Sequence, residues 1–302
     1  MHREFREVTT SDEYGVGPTI DIKPLSGLLV RMAYRHSWRN PSHYQFEIDE
    51  TGGIDNLAKK FDEARRNRDR ASLFAQYSPW DVLTLHAGFE FTRDDYPDSR
   101  IGTQFDLNYS PSVGFIVSPA SWVRIFGDYN YDRFDWKINA IQRTLTTQNP
   151  SNSCPIDATH TRCWTSQGLD RVNTFSVGSD FSLIENVLGF RIQYGYSMGT
   201  SRVNASGATC VGCTVATNYP TIKNTWHELL ARFEYQVHKN VGLKVGYYFN
   251  HATDNDHGVD IMKPWMGDVD TSASVQRSIF LGDRLKGPFT AHVGFVAVRL
   301  SF

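Results

Sequence analysis

The residues with the widest chemical repertoire in this sequence are its four cysteines, which fall in two local pairs: Cys154 with Cys163, and Cys210 with Cys213 in the stretch CVGC. A thiolate can ligate a metal, exchange with a disulfide or anchor a haem, and spacing separates these uses. CVGC is followed by Thr214 rather than His, so it is not a c-type haem attachment site. Neither pair is joined by a second C-x-x-C or by a Cys/His partner at zinc-finger spacing. A thioredoxin-like pair needs a βαβ setting, whereas Gly207 and Gly212 place these cysteines in a Ser/Thr/Gly-rich stretch. The plain reading is two loop disulfides formed in an oxidising compartment.

Other constellations give less. The sequence has no G-x-S-x-G, no H-E-x-x-H and no Gly-rich phosphate loop, so it does not read as an enzyme. Asp254, Asp256 and Asp260, beside Pro264–Met266, could meet Ca²⁺ or a partner, but they lack EF-hand spacing and read as ordinary loop residues. With 31 Lys+Arg against 33 Asp+Glu, a formal net charge of -2 and no basic block, nothing favours nucleic acid. The remaining polar candidates are charged residues set singly into apolar stretches: Arg31, Arg35, His86, Glu90, Arg124, Asp128, Arg191, Glu228, Arg232, Glu234 and Lys244.

The elements that carry them alternate with a period of two. In VLGFRIQYGYSM the apolar set is Leu188, Phe190, Ile192, Tyr194, Tyr196 and Met198, opposed by Gly189, Arg191, Gln193, Gly195 and Ser197. Leu83–Phe91, Leu229–Val237 and Val241–Phe249 repeat the pattern. The chain's end does too, with Val296, Val298, Leu300 and Phe302 at every second place. A helix would spread such residues around its circumference; a strand stacks them on one side. The segments run to about ten residues or more, longer than the usual sandwich strand. Their apolar faces grow rich in Tyr and Phe towards the ends, where an interfacial aromatic girdle would lie.

Connections discriminate further. Five are tight: IKPLSGLL, YSPWDVLTL, VSPASWVRI, LIENVLGF and VHKNVGLKV, with Pro24, Pro79 and Pro119, or polar Glu185 and Lys239, just before the turn. Between them lie longer polar connections, Pro41–Asn67, Asp94–Phe105, Lys137–Asp170, Asn204–Lys223 and Asp254–Lys286. In the first of these Leu57 and Phe61 are four apart among charges, which suits a short rim helix. Strict alternation of short and long places all short turns at one rim, as in bacterial outer-membrane barrels. A Greek-key sandwich has no reason for it.

No apolar run approaches the roughly 18–20 residues of a spanning helix, and MHREFREVTTSD carries no signal-peptide h-region. The expected fold is therefore all-β: a transmembrane antiparallel up-and-down β-barrel in a Gram-negative outer membrane, taken as one domain over residues 1–302. About eleven strands are counted, each long enough to cross at a tilt of about 45°. Since single-chain bacterial barrels use even numbers, the expectation is that this is the C-terminal part of a larger barrel. The interspersed charges are expected on the lumen side, where both signs together suit salt bridges and a protein plug better than an ion-selective ring.

The order of motifs is similar to one known family. NRDRASLFAQYSPWDVLTLHAGFEFTRDDYPDSRIGTQFDLNYSPS, a Y-x-P turn feeding an L-x-L strand that ends in an aromatic, resembles the MtrB/PioB family, as do GLKVGYYFNHATDND and the terminal VGFVAVRLSF. The likeness covers essentially the whole chain. It implies an insulating sheath that holds a multihaem c-type cytochrome in its lumen for electron transfer across the outer membrane. It further implies an extracellular cytochrome as a second partner, haem carried by the partners rather than by this chain, and outer-membrane lipid around it. The family's N-terminal C-x-x-C has no counterpart at Cys210 and Cys213, which stand elsewhere. A general or substrate-specific porin shares every barrel feature and is the alternative.

Overall fold

The structure, a computed structural model, describes residues 8–42, 59–99, 101–141, 163–207, 218–255, 265–266, 279–280 and 288–300. Strands follow one another from β1 (Ser11–Val16), β2 (Thr19–Leu25) and β3 (Leu28–Pro41) to β4 (Arg66–Trp80), β5 (Leu83–Asp95), β6 (Gly102–Ala120) and β7 (Val123–Ile141). They continue with β8 (Cys163–Ile184), β9 (Leu188–Gly207), β10 (Ile222–His238), β11 (Val241–Asn255), the short β12 (Trp265–Met266) and β13 (Ile279–Phe280), and β14 (Phe289–Leu300). All but β12 and β13 belong to one antiparallel sheet in which sequence neighbours pair, β14 lying next to β11. β1 covers His36–Pro41 of β3 and β2 covers Leu28–Ala33 of the same edge. Read as one strand interrupted at Gly17 and Pro18, they bring the 12-stranded sheet to the eleven crossings expected from the sequence. Among the described residues no pairing joins β14 to β1 or β2, so the wall has two free edges.

The five tight turns sit where the Pro and polar motifs place them, and their geometry explains why the motif repeats. The register shifts between Ile22 and Leu25, Tyr77 and Trp80, and Val117 and Ala120, so Pro24, Pro79 and Pro119 occupy irregular ladder positions where no N–H is required. The serines before two of these prolines donate sideways to the neighbouring hairpin's turn: Ser78 N–H to Gly27 O and Ser118 N–H to Val82 O, both at 2.8 Å. Ser182 N–H to Trp122 O and Gln236 N–H to Val187 O continue the stitching at the same distance. Gly27 (φ 79°) and Asn186 (φ 57°) supply the left-handed residues two of these turns need.

The other rim departs from expectation in three places. The connection expected from Asp94 to Phe105 narrows to residues 96–101, because β6 already starts at Gly102. β7 and β8 run on through much of Lys137–Asp170, and β9 extends to Gly207, giving strands of 19, 22 and 20 residues. These extensions mix polar and apolar residues on both faces, so they lose the alternation that marks the rest. Finally, Leu57 lies outside the described residues, Phe61 opens a single turn closed by Ala64 N–H to Lys60 O, and β4 begins at Arg66. Among the described residues there is no helix, and none that is long and apolar enough to span a membrane.

The sheet has no conventional core. The buried hydrophobic residues among those described are Val8, Ala64, Tyr96 and Ile101, all at the rim of the long connections, and no large side chain is fully enclosed. Met32, Leu73, Phe89, Val113, Val177, Ile192, Phe233 and Val245 stand instead on an exposed face. A water-soluble sandwich would bury such a face between two sheets; here it forms a continuous outer belt.

Candidate functional site

The second face is where the expected charged residues gather. Cross-strand partners share a face, and one register line runs His86, Gly114, Asp128, Ser176, Gly195, Glu228, Asn250 across β5 to β11. A second line, nearer the tight turns, runs Arg124, Asp180, Arg191, Arg232. Arg31 opposes Phe74, Arg35 opposes Arg70, Glu90 opposes Ser110, and Glu234 opposes Lys244, all on this same side. Every charged residue singled out in the strands thus lies on the face opposite the apolar belt.

These residues act on one another. Asp180 takes a bidentate grip from Arg191, 2.5 and 2.8 Å, and a second contact from Arg124 at 3.0 Å. Such fork geometry is the strong form of a charged hydrogen bond. Arg232 and Lys244 each reach Glu234 at 3.1 Å, the Arg232 contact lacking an aligned N–H. The result is a belt from β7 to β11 in which two acids, Asp180 and Glu234, are each held by two cations. Above its end Asp180, Glu234, Gln236, Lys244 and Arg299 help line a cleft of about 370 Å³ at the tight-turn rim.

Midway along the strands, His86 Nε2 meets Asp128 Oδ1 at 2.8 Å. The two come from β5 and β7, so their pair closes directly over Gly114 of the intervening β6, where a Cβ would collide with both atoms. Glycine there lets the pair close over β6, and a larger side chain would have to push the two apart. On the same line Glu228 Oε1 accepts from Trp226 Nε1 at 2.7 Å and from the Tyr248 hydroxyl at 3.0 Å. Arg31 is bidentate to Asp21 at 2.7 and 2.8 Å, and Glu90 meets Arg70 at 3.3 Å. Arg35 lies over Gly15 of β1 and makes no ion pair among the described residues.

Two centres were not expected. One is Asp180 itself. The other lies at the opposite end, where Arg68 grips the buried Asp94 with two contacts of 2.6 Å and Arg66 holds Glu13 with two of 3.0 Å. Above them Tyr96, in the connection between β5 and β6, donates its hydroxyl to Asp106 at 3.3 Å. Burial, then the nearby Asp106 and Asp94 charges, push this phenol up to about 12.

The cysteines and the chain's end are less visible. Cys163 starts β8 opposite Ile141, while Cys154, Cys210 and Cys213 lie outside the described residues, and the expected disulfides with them. Asp256, Asp260 and Phe302 lie outside as well, whereas Val296, Val298 and Leu300 stand 69%, 63% and 57% exposed on β14. Among the described residues there is no group of three or more His, Cys, Asp or Glu that could hold a metal.

An up-and-down wall with an apolar belt on one face and a hydrated, charge-paired lining on the other defines an outer-membrane β-barrel protein. The whole chain, residues 1–302, matches the outer membrane beta-barrel porin family MtrB/PioB, and it belongs to that family. Outer membrane protein MtrB of Shewanella baltica (strain OS185) is 23% identical over 262 residues, which cover 86% of this chain and 34% of the relative; the chain thus spans about a third of that relative's length. Two solved barrels share the fold. The copper transporter OprC superposes with a TM-score of 0.59 at 12% identity, over all of this chain and 45% of its own. The ferric citrate transporter FecA gives 0.54 at 11%, over 97% and 39%.

Proposed function

We propose that this chain is a wall segment of a larger barrel that sheathes a multihaem c-type cytochrome, insulating an electron path across the outer membrane. The observation that carries the reading is the lining: across β7 to β11 Asp180 holds Arg124 and Arg191, and Glu234 holds Arg232 and Lys244, so both signs stand side by side in ion pairs. A lining that pairs both signs is not the single-sign ring of an ion-selective pore, and it offers donors and acceptors to a protein surface laid against it. The free edges of β1, β2 and β14 support the larger barrel, because unpaired ladder groups are costly in hydrocarbon and further strands would satisfy them. On this reading the haems belong to the partner, and an extracellular cytochrome docks at the long-connection rim. The chain's own residues do no bond chemistry: they exclude lipid from the electron carrier and hold it in place.

The family description, a porin, supports a second reading in which the same lining faces only water and solutes. Liposomes separate the two. A sheath co-purifies with haem absorbance and passes electrons to an enclosed acceptor only when the cytochrome is present. A porin swells liposomes in small sugars without any cytochrome, and that result, with no haem retained, would overturn the proposal.

A further inference from the structure

The outward face carries a feature that sheathing does not use. Along β9 the outward residues are Leu188, Phe190, Ile192, Tyr194, Tyr196 and Met198, then Thr200 and Arg202. From Leu188 to Met198 is about 33 Å of strand, or about 23 Å of height at a tilt of about 45°, close to the usual apolar band. Thr200 and Arg202 therefore lie just beyond the hydrocarbon, on the side of the long connections. Tyrosine–histidine pairs stand on the same outward face, with the Tyr194 hydroxyl 2.8 Å from His227 Nδ1 and that of Tyr247 2.6 Å from His292 Nδ1.

At this level three cations surround Thr200. Arg171 of β8 and Lys223 of β10 are its direct cross-strand partners, and Arg202 stands two residues further along β9. Diagonal neighbours of this kind are about 7–8 Å apart. Arg133 of β7 opposes Arg171 in turn, but Asp135 neutralises it with contacts of 2.9 and 3.2 Å. Arg171, Arg202 and Lys223 have no ion-pair partner among the described residues, and Arg171 Nε is enclosed with no hydrogen-bond partner. Like charges set side by side on a sheet repel, and an enclosed guanidinium N–H calls for an acceptor.

We infer that Arg171, Arg202 and Lys223, around Thr200, bind the phosphate group of an outer-leaflet lipid. The chemistry is that of an oxyanion: arginine forks match phosphate geometry, lysine adds a mobile point charge, and the Thr200 hydroxyl can donate. The source is the lipid rather than a dissolved ion because the site shares its face with the apolar belt, at headgroup height, on the rim that faces outward in such barrels. The phosphorylated glycolipid of that leaflet offers phosphate directly above acyl chains, which would lie along Tyr194, Tyr196 and Met198. This assignment rests on the membrane location and is independent of the cytochrome reading.

The test is native mass spectrometry of the protein in its complete barrel, folded in zwitterionic detergent and titrated with lipid A, enzymatically dephosphorylated lipid A, or inorganic phosphate. The chain retains lipid A and releases the dephosphorylated form, and inorganic phosphate at equal concentration does not displace the lipid. Arg171→Ala, Arg202→Ala and Lys223→Ala combined weaken retention about a hundredfold, as does the single change Thr200→Asp, while Arg93→Ala, whose cation Asp95 already neutralises, leaves it unchanged. Heat-modifiable gel migration shows that each variant is folded. Equal retention by wild type and the folded Thr200→Asp or triple variant overturns the inference, as does equal retention of dephosphorylated lipid. Displacement by inorganic phosphate would make this a free-anion site and overturn the lipid assignment.

Discussion

Replacing Asp180 with Ala removes the hub of the charged belt, and the structure fixes how much that should matter. Asp180 is 30% exposed and Arg191 27%, so their two-pronged contact is only partly screened, whereas Arg124 is half exposed. A charged hydrogen bond contributes about 1.5–3 kcal/mol when shielded, and an exposed ion pair about 0.2–1 kcal/mol. The Arg191 side should thus account for about 2 kcal/mol and the Arg124 side for about 0.5 kcal/mol. The loss leaves Arg191 facing Arg232 with no acid on its own other flank. Urea titration of the chain in zwitterionic vesicles, followed by tryptophan fluorescence and gel migration, measures the cost. Asp180→Ala should lower stability by about 2–3 kcal/mol and Arg124→Ala by about 0.5 kcal/mol. A cost for Asp180→Ala no larger than that of Arg124→Ala would mean the bidentate contact does not form and the belt is not a belt.

Three further perturbations probe other parts of the account. Val177→Arg puts a cation in the apolar belt and should cost about 2–4 kcal/mol, while Ser176→Arg, one residue away on the lining face, should cost about 1 kcal/mol or less; equal costs in the same urea titration would dissolve the distinction between faces. Gly114→Val drives a side chain into the His86–Asp128 pair and should lower stability by about 1–3 kcal/mol, an effect that His86→Ala in the same chain should shrink; an undiminished effect would place the strain elsewhere. Tyr96 is held neutral by the fold with its pKa at about 12, above the ordinary value of about 10. Its contribution is therefore complete below about pH 10 and is lost as pH rises towards 12. Tyr96→Phe should flatten that alkaline fall in the melting temperature, and an unchanged fall would remove Tyr96 as its cause.

What the sequence disclosed follows from where one physical constraint dominates. Within the belt each strand has one face in oil and one in water, so β9 from Leu188 to Met198 alternates cleanly and its limits and facing could be read directly. Tight turns were equally legible, because Pro79 and Pro119 occupy irregular ladder positions that only certain residues fill. Beyond the belt both faces meet water and the period disappears. That is why β7 and β8 run past their expected ends, and why Arg66 and Asp94 read as residues of connections. Asp180 is legible from spacing: it follows Ser176 and Gly178 at every second place, on the face away from Val177 and Phe181. Its meeting with Arg191 and Arg124 depends on the register of β7, β8 and β9, which no single strand contains.

The central claim is that the Leu, Phe and Tyr face meets acyl chains while the charged face meets an aqueous interior. Spin labels placed one at a time on new cysteines from Leu188 to Gly199 of β9, with the native cysteines replaced by serine and the protein in lipid vesicles, address it directly. Relaxation by oxygen, which concentrates in hydrocarbon, should peak at positions 188, 190, 192, 194, 196 and 198, and relaxation by a water-soluble nickel chelate at the positions between. Accessibility without that two-residue period, or with its phase reversed, would contradict the account.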